Sequence, residues 1–210
     1  MPKFIVIFLV FAVFTACQKE DPIVESGGNG TNTVPTANTI NSVSFVFKGQ
    51  NYHFKNGGNG YENFQLGYTT ANTGDSSDFV YTWELYRTDN QGAQIAFGFE
   101  DLVNQADYTN NKLGVYQQVF NPGSHPVAGE FISSNSEIGI YFLDDQRDAW
   151  FMEAGSTPNE FIIQSSTNHK DANGVLIGQL VKGSFKVHLV NIAGDLDSLS
   201  NGSFVMLVNL

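Results

Sequence analysis

Leu180-Val181-Lys182-Gly183-Ser184-Phe185-Lys186-Val187-His188-Leu189, followed by Asn201-Gly202-Ser203-Phe204-Val205-Met206-Leu207-Val208, decides the fold class. Phe185, Val187 and Leu189 alternate with polar residues, and Phe204, Met206 and Val208 recur with the same spacing. A period of two puts each apolar set on one face of a strand. The stretch between them, 191–199, carries Asn, Gly and Asp and is expected to turn. The two runs are therefore expected to bring their apolar sets together in one core.

The same alternation recurs upstream. Val43-Ser44-Phe45-Val46-Phe47 and Tyr52-His53-Phe54 flank Lys48-Gly49-Gln50-Asn51, which predicts a hairpin. Phe79, Tyr81, Trp83 and Leu85 share a face, the turn Asp89-Asn90-Gln91-Gly92 follows, and Ile95, Phe97 and Phe99 repeat the pattern. Further strands are expected at 114–120, 137–143, 149–153 and 160–165. The helical signal is confined to Glu100-Asp101-Leu102-Val103-Asn104-Gln105-Ala106, enough for one or two turns. Hydrophobic residues make up 41% of the chain and aromatic residues 13%, with 18 Phe and 21 Gly, which suits strands joined by tight turns. Short strands at regular spacing predict an all-β fold, a single antiparallel β-sandwich of Greek-key or jelly-roll type over residues 41–210.

The N-terminal region has a different character. Met1-Pro2-Lys3 carries one positive charge, an unbroken apolar run spans 4–14, and Thr15-Ala16 precedes the sole cysteine, Cys17. A basic start, a short apolar stretch and small residues before a cut are the parts of a secretory signal. The apolar run falls short of the roughly 20 residues that cross a bilayer as a helix. Phe14-Thr15-Ala16-Cys17 resembles the lipobox of bacterial lipoproteins, with Phe14 where Leu is commoner. The resemblance implies cleavage before Cys17 and lipidation of its thiol, residues 1–16 being the signal peptide. The alternative is an ordinary secreted chain cut near Ala16, which leaves Cys17 an incidental thiol. Lys19, Glu20 and Asp21 directly after the cysteine resemble the export signal of Bacteroidetes-type surface lipoproteins, which implies an outer-membrane protein facing the exterior. A solvated charge cluster on a tether accounts for the same residues. The Gly-x-Phe run followed by Asn-Gly-x-Phe also resembles the C-terminal hairpin of uncharacterised β-sandwich domains in that lipoprotein group, over roughly 137–210.

Residues 17–40 are polar and turn-rich, as in Ser26-Gly27-Gly28-Asn29-Gly30, and are expected to form a flexible tether. A Gly-rich chain of that length has a root-mean-square reach of roughly 27 Å. Lys and Arg total 10 against 21 acidic residues, and losing Lys3 with the signal takes the formal net charge from −11 to −12. That field repels polyanions, so nucleic acid is not an expected partner. With Cys17 committed to lipid, the expected domain has no thiol for a disulfide, a sulfur-ligated metal or nucleophilic catalysis.

No motif announces an activity, and no catalytic residue, metal or cofactor is expected. Glu84 and Glu130 are conceivable as the carboxyl pair of a glycosidase, but nothing in their spacing links them. Asp144, Asp145 and Asp148 lie in one acidic turn, and Asp195 and Asp197 in another; both are expected to be turns before calcium sites. Gly-Gly-Asn-Gly occurs at 27–30 and 57–60 without the Asp of a calcium-binding nonapeptide. His53, His125, His169 and His188 are scattered, whereas zinc needs three or four converging ligands.

Aromatics remain. Tyr52, Tyr61, Phe64, Tyr68, Tyr86, Tyr116 and Tyr141 are expected on outward faces or loops, where Tyr offers a flat ring and a polar tip. The stretch 56–73 is expected to be a long loop, with Tyr61, Phe64 and Tyr68 as its candidate binding residues. The resulting expectation is a surface-anchored, non-enzymatic module that binds an extracellular glycan or an envelope partner protein. Its rivals are a polysaccharide-acting enzyme and a structural envelope lipoprotein without a ligand.

Overall fold

The computed structural model describes residues 40–71, 76–89, 91–127, 137–152 and 159–210. Cys17, Lys19, Glu20, Asp21, the first Gly-Gly-Asn-Gly copy and Glu130 lie outside them. In chain order the strands are β1 (Ser42–Phe47), β2 (Gln50–Lys55), β3 (Tyr61–Ala71), β4 (Ser76–Arg87) and β5 (Gln94–Asn104). Helices α1 (Gln105–Asn110) and α2 (Lys112–Val119) follow, then β6 (Gly123–Ser124), β7 (Ile138–Leu143) and β8 (Ala149–Met152). The chain closes with β9 (Glu160–Lys170), β10 (Leu176–Asn191) and β11 (Leu196–Asn209).

The fold is all-β, as expected. All named strands pair antiparallel, in the order β2-β1-β11-β10-β8-β7-β5-β4-β3, with β9 beside β10 and β6 beside β9. One continuous sheet thus supplies both layers of the sandwich. β10 pairs with β8 only at residues 189–191 and with β9 over its earlier part, and the sheet turns over there. Phenylalanines bridge the layers: Phe97 of β5 packs 5.7, 5.4 and 5.5 Å from Phe161, Phe185 and Phe204 of β9, β10 and β11. Phe45 and Phe47 of β1 meet Phe142 of β7 at 5.1 and 4.9 Å.

The β10–β11 hairpin is longer than expected, its turn reduced to residues 192–195. Ser184 faces Ser203, and the flanking pairs are Gly183 with Phe204 and Phe185 with Gly202. Each ring therefore lies over the other strand's glycine. A Cβ on Gly202 would sit 2.5 Å from the Phe185 ring, and one on Gly183 would overlap the Phe204 ring and the Ile162 carbonyl. The β1–β2 hairpin forms as expected. Lys48 and Gly49 take φ of 49° and 75°, the two positive values of a two-residue turn matched to strand twist.

Three expectations are corrected. Residues 114–120, expected as a strand for their Val, Tyr and Phe, are mostly helix α2. Their buried residues, Val115, Tyr116, Val119 and Phe120, recur at a helical spacing, and Asn111 caps the helix by accepting from the Gly114 N–H at 3.2 Å. The expected helix at 100–106 starts only at Gln105, because 100–104 complete β5. Asn104 caps it, accepting from the Ala106 N–H at 2.8 Å.

The third correction concerns 56–73, of which 72 and 73 lie outside the described residues: after a short turn, Tyr61–Ala71 form β3, hydrogen-bonded to β4 along its length. Gly57, Asn59 and Gly60 adopt positive φ in that turn, which explains the second Gly-Gly-Asn-Gly without an ion. β3 inverts the usual alternation. Inward Asn63 and Gln65 close a polar seam: the Gln65 amide donates to the Leu207 carbonyl at 2.7 Å and accepts from the Asn209 N–H at 3.1 Å. The Asn41 side-chain oxygen Oδ1 accepts from the Leu207 N–H at 2.6 Å and from Trp83 Nε1 at 3.3 Å, and Asn41 Nδ2 donates to Asn63 Oδ1 at 3.1 Å. Side-chain amides thus satisfy backbone groups where the end of the sheet meets β11.

Candidate functional site

Strand alternation divides the three candidate binding residues. Tyr61 points inward and is buried, whereas Phe64 and Tyr68 point outward with exposures of 38% and 40%, Leu66 between them. Tyr116, also expected outside, is buried against Phe79, Tyr81 and Phe120. Burial raises its hydroxyl pKa, with Tyr108 adding to the effect.

Tyr61 instead reaches one wall of an open depression of about 560 Å³, lined also by Gln50, Asn51, Tyr52, Asn59, Arg87 and Asp145. The β1–β2 turn delivers Gln50 to Tyr52, the 57–60 turn delivers Asn59, and the β7–β8 turn delivers Asp145. Tyr52 is locked: its ring stacks 5.2 Å from Phe45 and its hydroxyl donates to Asp145 Oδ2 at 3.0 Å. Burial, followed by the Asp145 hydrogen bond and charge, raises the Tyr52 pKa far beyond physiological pH, so the proton stays on the phenol. Asp145 Oδ1 accepts from the Ala93 N–H at 3.2 Å, while the Tyr61 hydroxyl donates to the Ala93 carbonyl at 3.0 Å.

Arg87 lies 6.0 Å from the Tyr61 ring centroid and grips Asp89 through two bonds of 3.0 and 2.5 Å. The Arg87 hydrogen bond, then the Gln91 N–H, lowers Asp89 to about 2. A guanidinium carries five N–H groups, so this fork leaves donors for the depression. The result is a site bordered by Tyr52 and the buried Tyr61, with Tyr52, Tyr61, Arg87 and Asp145 held by these contacts and the amides of Gln50, Asn51 and Asn59 exposed beside them.

The acidic turns are occupied by protein donors. Asp144 Oδ1 accepts from the Gln146 and Asp148 N–H groups, both at 2.9 Å, and Oδ2 accepts from Trp150 Nε1 at 3.1 Å. Asp195 accepts from Asn191 Nδ2 at 2.9 Å, and Asp197 from the Ser198 N–H at 2.7 Å. Among the described residues no three His, Cys, Asp or Glu side chains gather to hold a metal.

Glu84 is the buried carboxyl without such donors. It lies on the outward face of β4, opposite Phe64 of β3 and Ala96 of β5, and is 8% exposed. Desolvation alone raises it to about 7. Its sequence-stretch companion, Glu130, lies outside the described residues. Gln50, Asn51, Asn59 and Arg87 escaped sequence reasoning because amides and a lone Arg in turns carry no motif; only the Gly-Asn content of 56–60 pointed to that corner. No family model, no curated protein and no solved structure matches the chain.

Proposed function

We propose that the chain is a lipid-anchored, surface-exposed module that binds an extracellular polysaccharide in the depression between the β1–β2 turn and β3. The observation that carries this reading is the lining itself. The half-buried Tyr52 ring, with the buried Tyr61 behind it, borders planar groups that hydrogen-bond: the amides of Gln50, Asn51 and Asn59, the Arg87 guanidinium and the Asp145 carboxylate. A sugar presents an apolar C–H face beside hydroxyls that donate and accept together. Rings suit the first, and amides, which also donate and accept, suit the second. An open depression admits an internal segment of a polymer as well as its end.

The leader and Cys17 support placing this site outside the cell, where polysaccharide is met. Anchoring through two or more acyl chains is stable, at about 0.8 kcal/mol per buried methylene.

A polysaccharide-acting enzyme draws support from Glu84, whose raised pKa suits a general acid. That chemistry needs a second carboxyl roughly 5–10 Å away across a cleft. Asp144, the other buried acid among the described residues, has its oxygens committed to its own turn and to Trp150. The binding reading is therefore preferred.

A glycan array probed with the mature chain and with Asn51→Ala/Asn59→Gly tests it. Asn51 is exposed, and glycine accepts the φ of 53° at Asn59, so the double variant removes two amides and keeps the frame. Two lost hydrogen bonds of about 0.7 kcal/mol each weaken binding about tenfold. Equal binding by both proteins, or no glycan retained by the native one, contradicts the proposal.

A further inference from the structure

Glu84 stands where strand pairing predicts an apolar residue. The cross-strand row on the outward face runs Phe64, Glu84, Ala96, Tyr141 and Phe151, from β3 to β8. Tyr141 and Phe151 pack with ring centroids 5.4 Å apart. Tyr86, two residues along β4, shares the face, and its hydroxyl donates to Glu62 Oε2 at 3.4 Å. The Glu84 carboxyl itself has no hydrogen-bond or ion-pair partner among the described residues. A buried carboxyl without donors destabilises a fold unless something else supplies them.

From this juxtaposition we infer that the outward face of β3–β4–β5–β7 is a second site, which takes an organic cation, an alkylammonium or guanidinium group, with Glu84 as its counter-ion and Phe64, Tyr86 and Tyr141 as aromatic walls. Aromatic faces attract cations, more strongly when water is excluded, and a carboxylate supplies the balancing charge. A neutral ligand leaves Glu84 either charged and unpaired or protonated. The acidic chain draws cations toward it over longer range. Phe64, 38% exposed, is the movable wall, since exposed side chains change rotamer on fast timescales. The site is independent of the depression, whose lining excludes Glu84.

The titratable groups facing Glu84 are Glu62 on β3, Tyr86 on β4 and Tyr141 on β7, while β5 presents the neutral Ala96 and Gln94. Glu84 and Arg147 both act electrostatically on Tyr141, in opposite directions. Glu84, held near 7, is therefore the group whose charge changes between pH 5.5 and 8.

The test is an NMR titration of the mature protein, following the Glu84 carboxyl carbon, with n-butylammonium, n-butylguanidinium, a lysine-containing tripeptide amide and glucose as the neutral probe. Butylammonium or butylguanidinium is expected to bind about 30-fold more tightly at pH 8 than at pH 5.5, following the ionised fraction of Glu84. Binding is expected to vanish in Glu84→Gln, which keeps shape and loses charge. A tripeptide that binds more tightly than the free amines assigns the cation to a polypeptide; equal affinity assigns it to a small amine. Affinity independent of pH, binding retained by Glu84→Gln, no shift with any cation, or stronger response to glucose each overturns the inference. None of these outcomes bears on glycan binding in the depression.

Discussion

Gly183→Ala is expected to cost about 3 kcal/mol or more of unfolding free energy, the upper range for overpacking a closed interior. The added methyl would overlap the Phe204 ring on one side and the Ile162 carbonyl on the other, so relief requires moving a neighbouring strand. Phe204 cannot retreat easily. Its ring packs 4.8 Å from Phe161 and 5.5 Å from Phe97, so any shift passes to the opposite layer. Ser203→Ala provides the contrast, because Ser203 is exposed on the other face of the same pair of strands and should change stability by no more than about 0.5 kcal/mol. Urea unfolding followed by Trp83 and Trp150 fluorescence measures both. A Gly183→Ala protein as stable as the parent would mean that Phe204 does not lie over Gly183.

Glu84 gives the second large effect, a dependence on pH. Its folded pKa is raised from 4.5 to about 7 by desolvation. The folded chain therefore keeps a proton that the unfolded chain releases near 4.5. The stability due to that proton is whole below pH 4.5, declines as pH rises and is gone above about 7. The difference amounts to about 3 kcal/mol. Between pH 4.5 and 8 the parent should lose that amount relative to Glu84→Gln, which has no proton to release. Asp89, lowered to about 2, acts in the other direction and in a separate window: its contribution is present above the unfolded value of 3.8 and fades as pH falls toward 2. Denaturant midpoints of the two proteins at several pH values check this. Parallel curves from pH 4.5 to 8 would show Glu84 to be solvated.

Alternation revealed most of the framework because most strands here bury one face and wet the other. Phe79 to Trp83 and the last hairpin follow that rule, Ile95 to Phe99 are buried on both faces, and all of them contribute to the core. β3 breaks the rule. Its inward positions hold Asn63 and Gln65 for the seam, its outward positions hold Phe64, Leu66 and Tyr68, and its Gly and Asn content suggests a loop. α2 misled in the opposite sense, through β-branched and aromatic residues whose helical spacing is visible only once Phe120 is counted with Val115, Tyr116 and Val119. Of the site, the tyrosines were legible and their partners were not. Asp145 is 93 residues from Tyr52, and Arg87 reaches Tyr61 only through β3–β4 pairing. Contacts of that range follow from topology, which local pattern does not specify.

The reading of a module held outside the cell rests on Cys17, and the mass of the N-terminal peptide from protein purified out of its native membrane tests it most directly. The account predicts a peptide that begins at Cys17 and carries a thioether-linked diacylglyceryl group. A peptide retaining residues upstream of Cys17, or an unmodified thiol at that position, would contradict it.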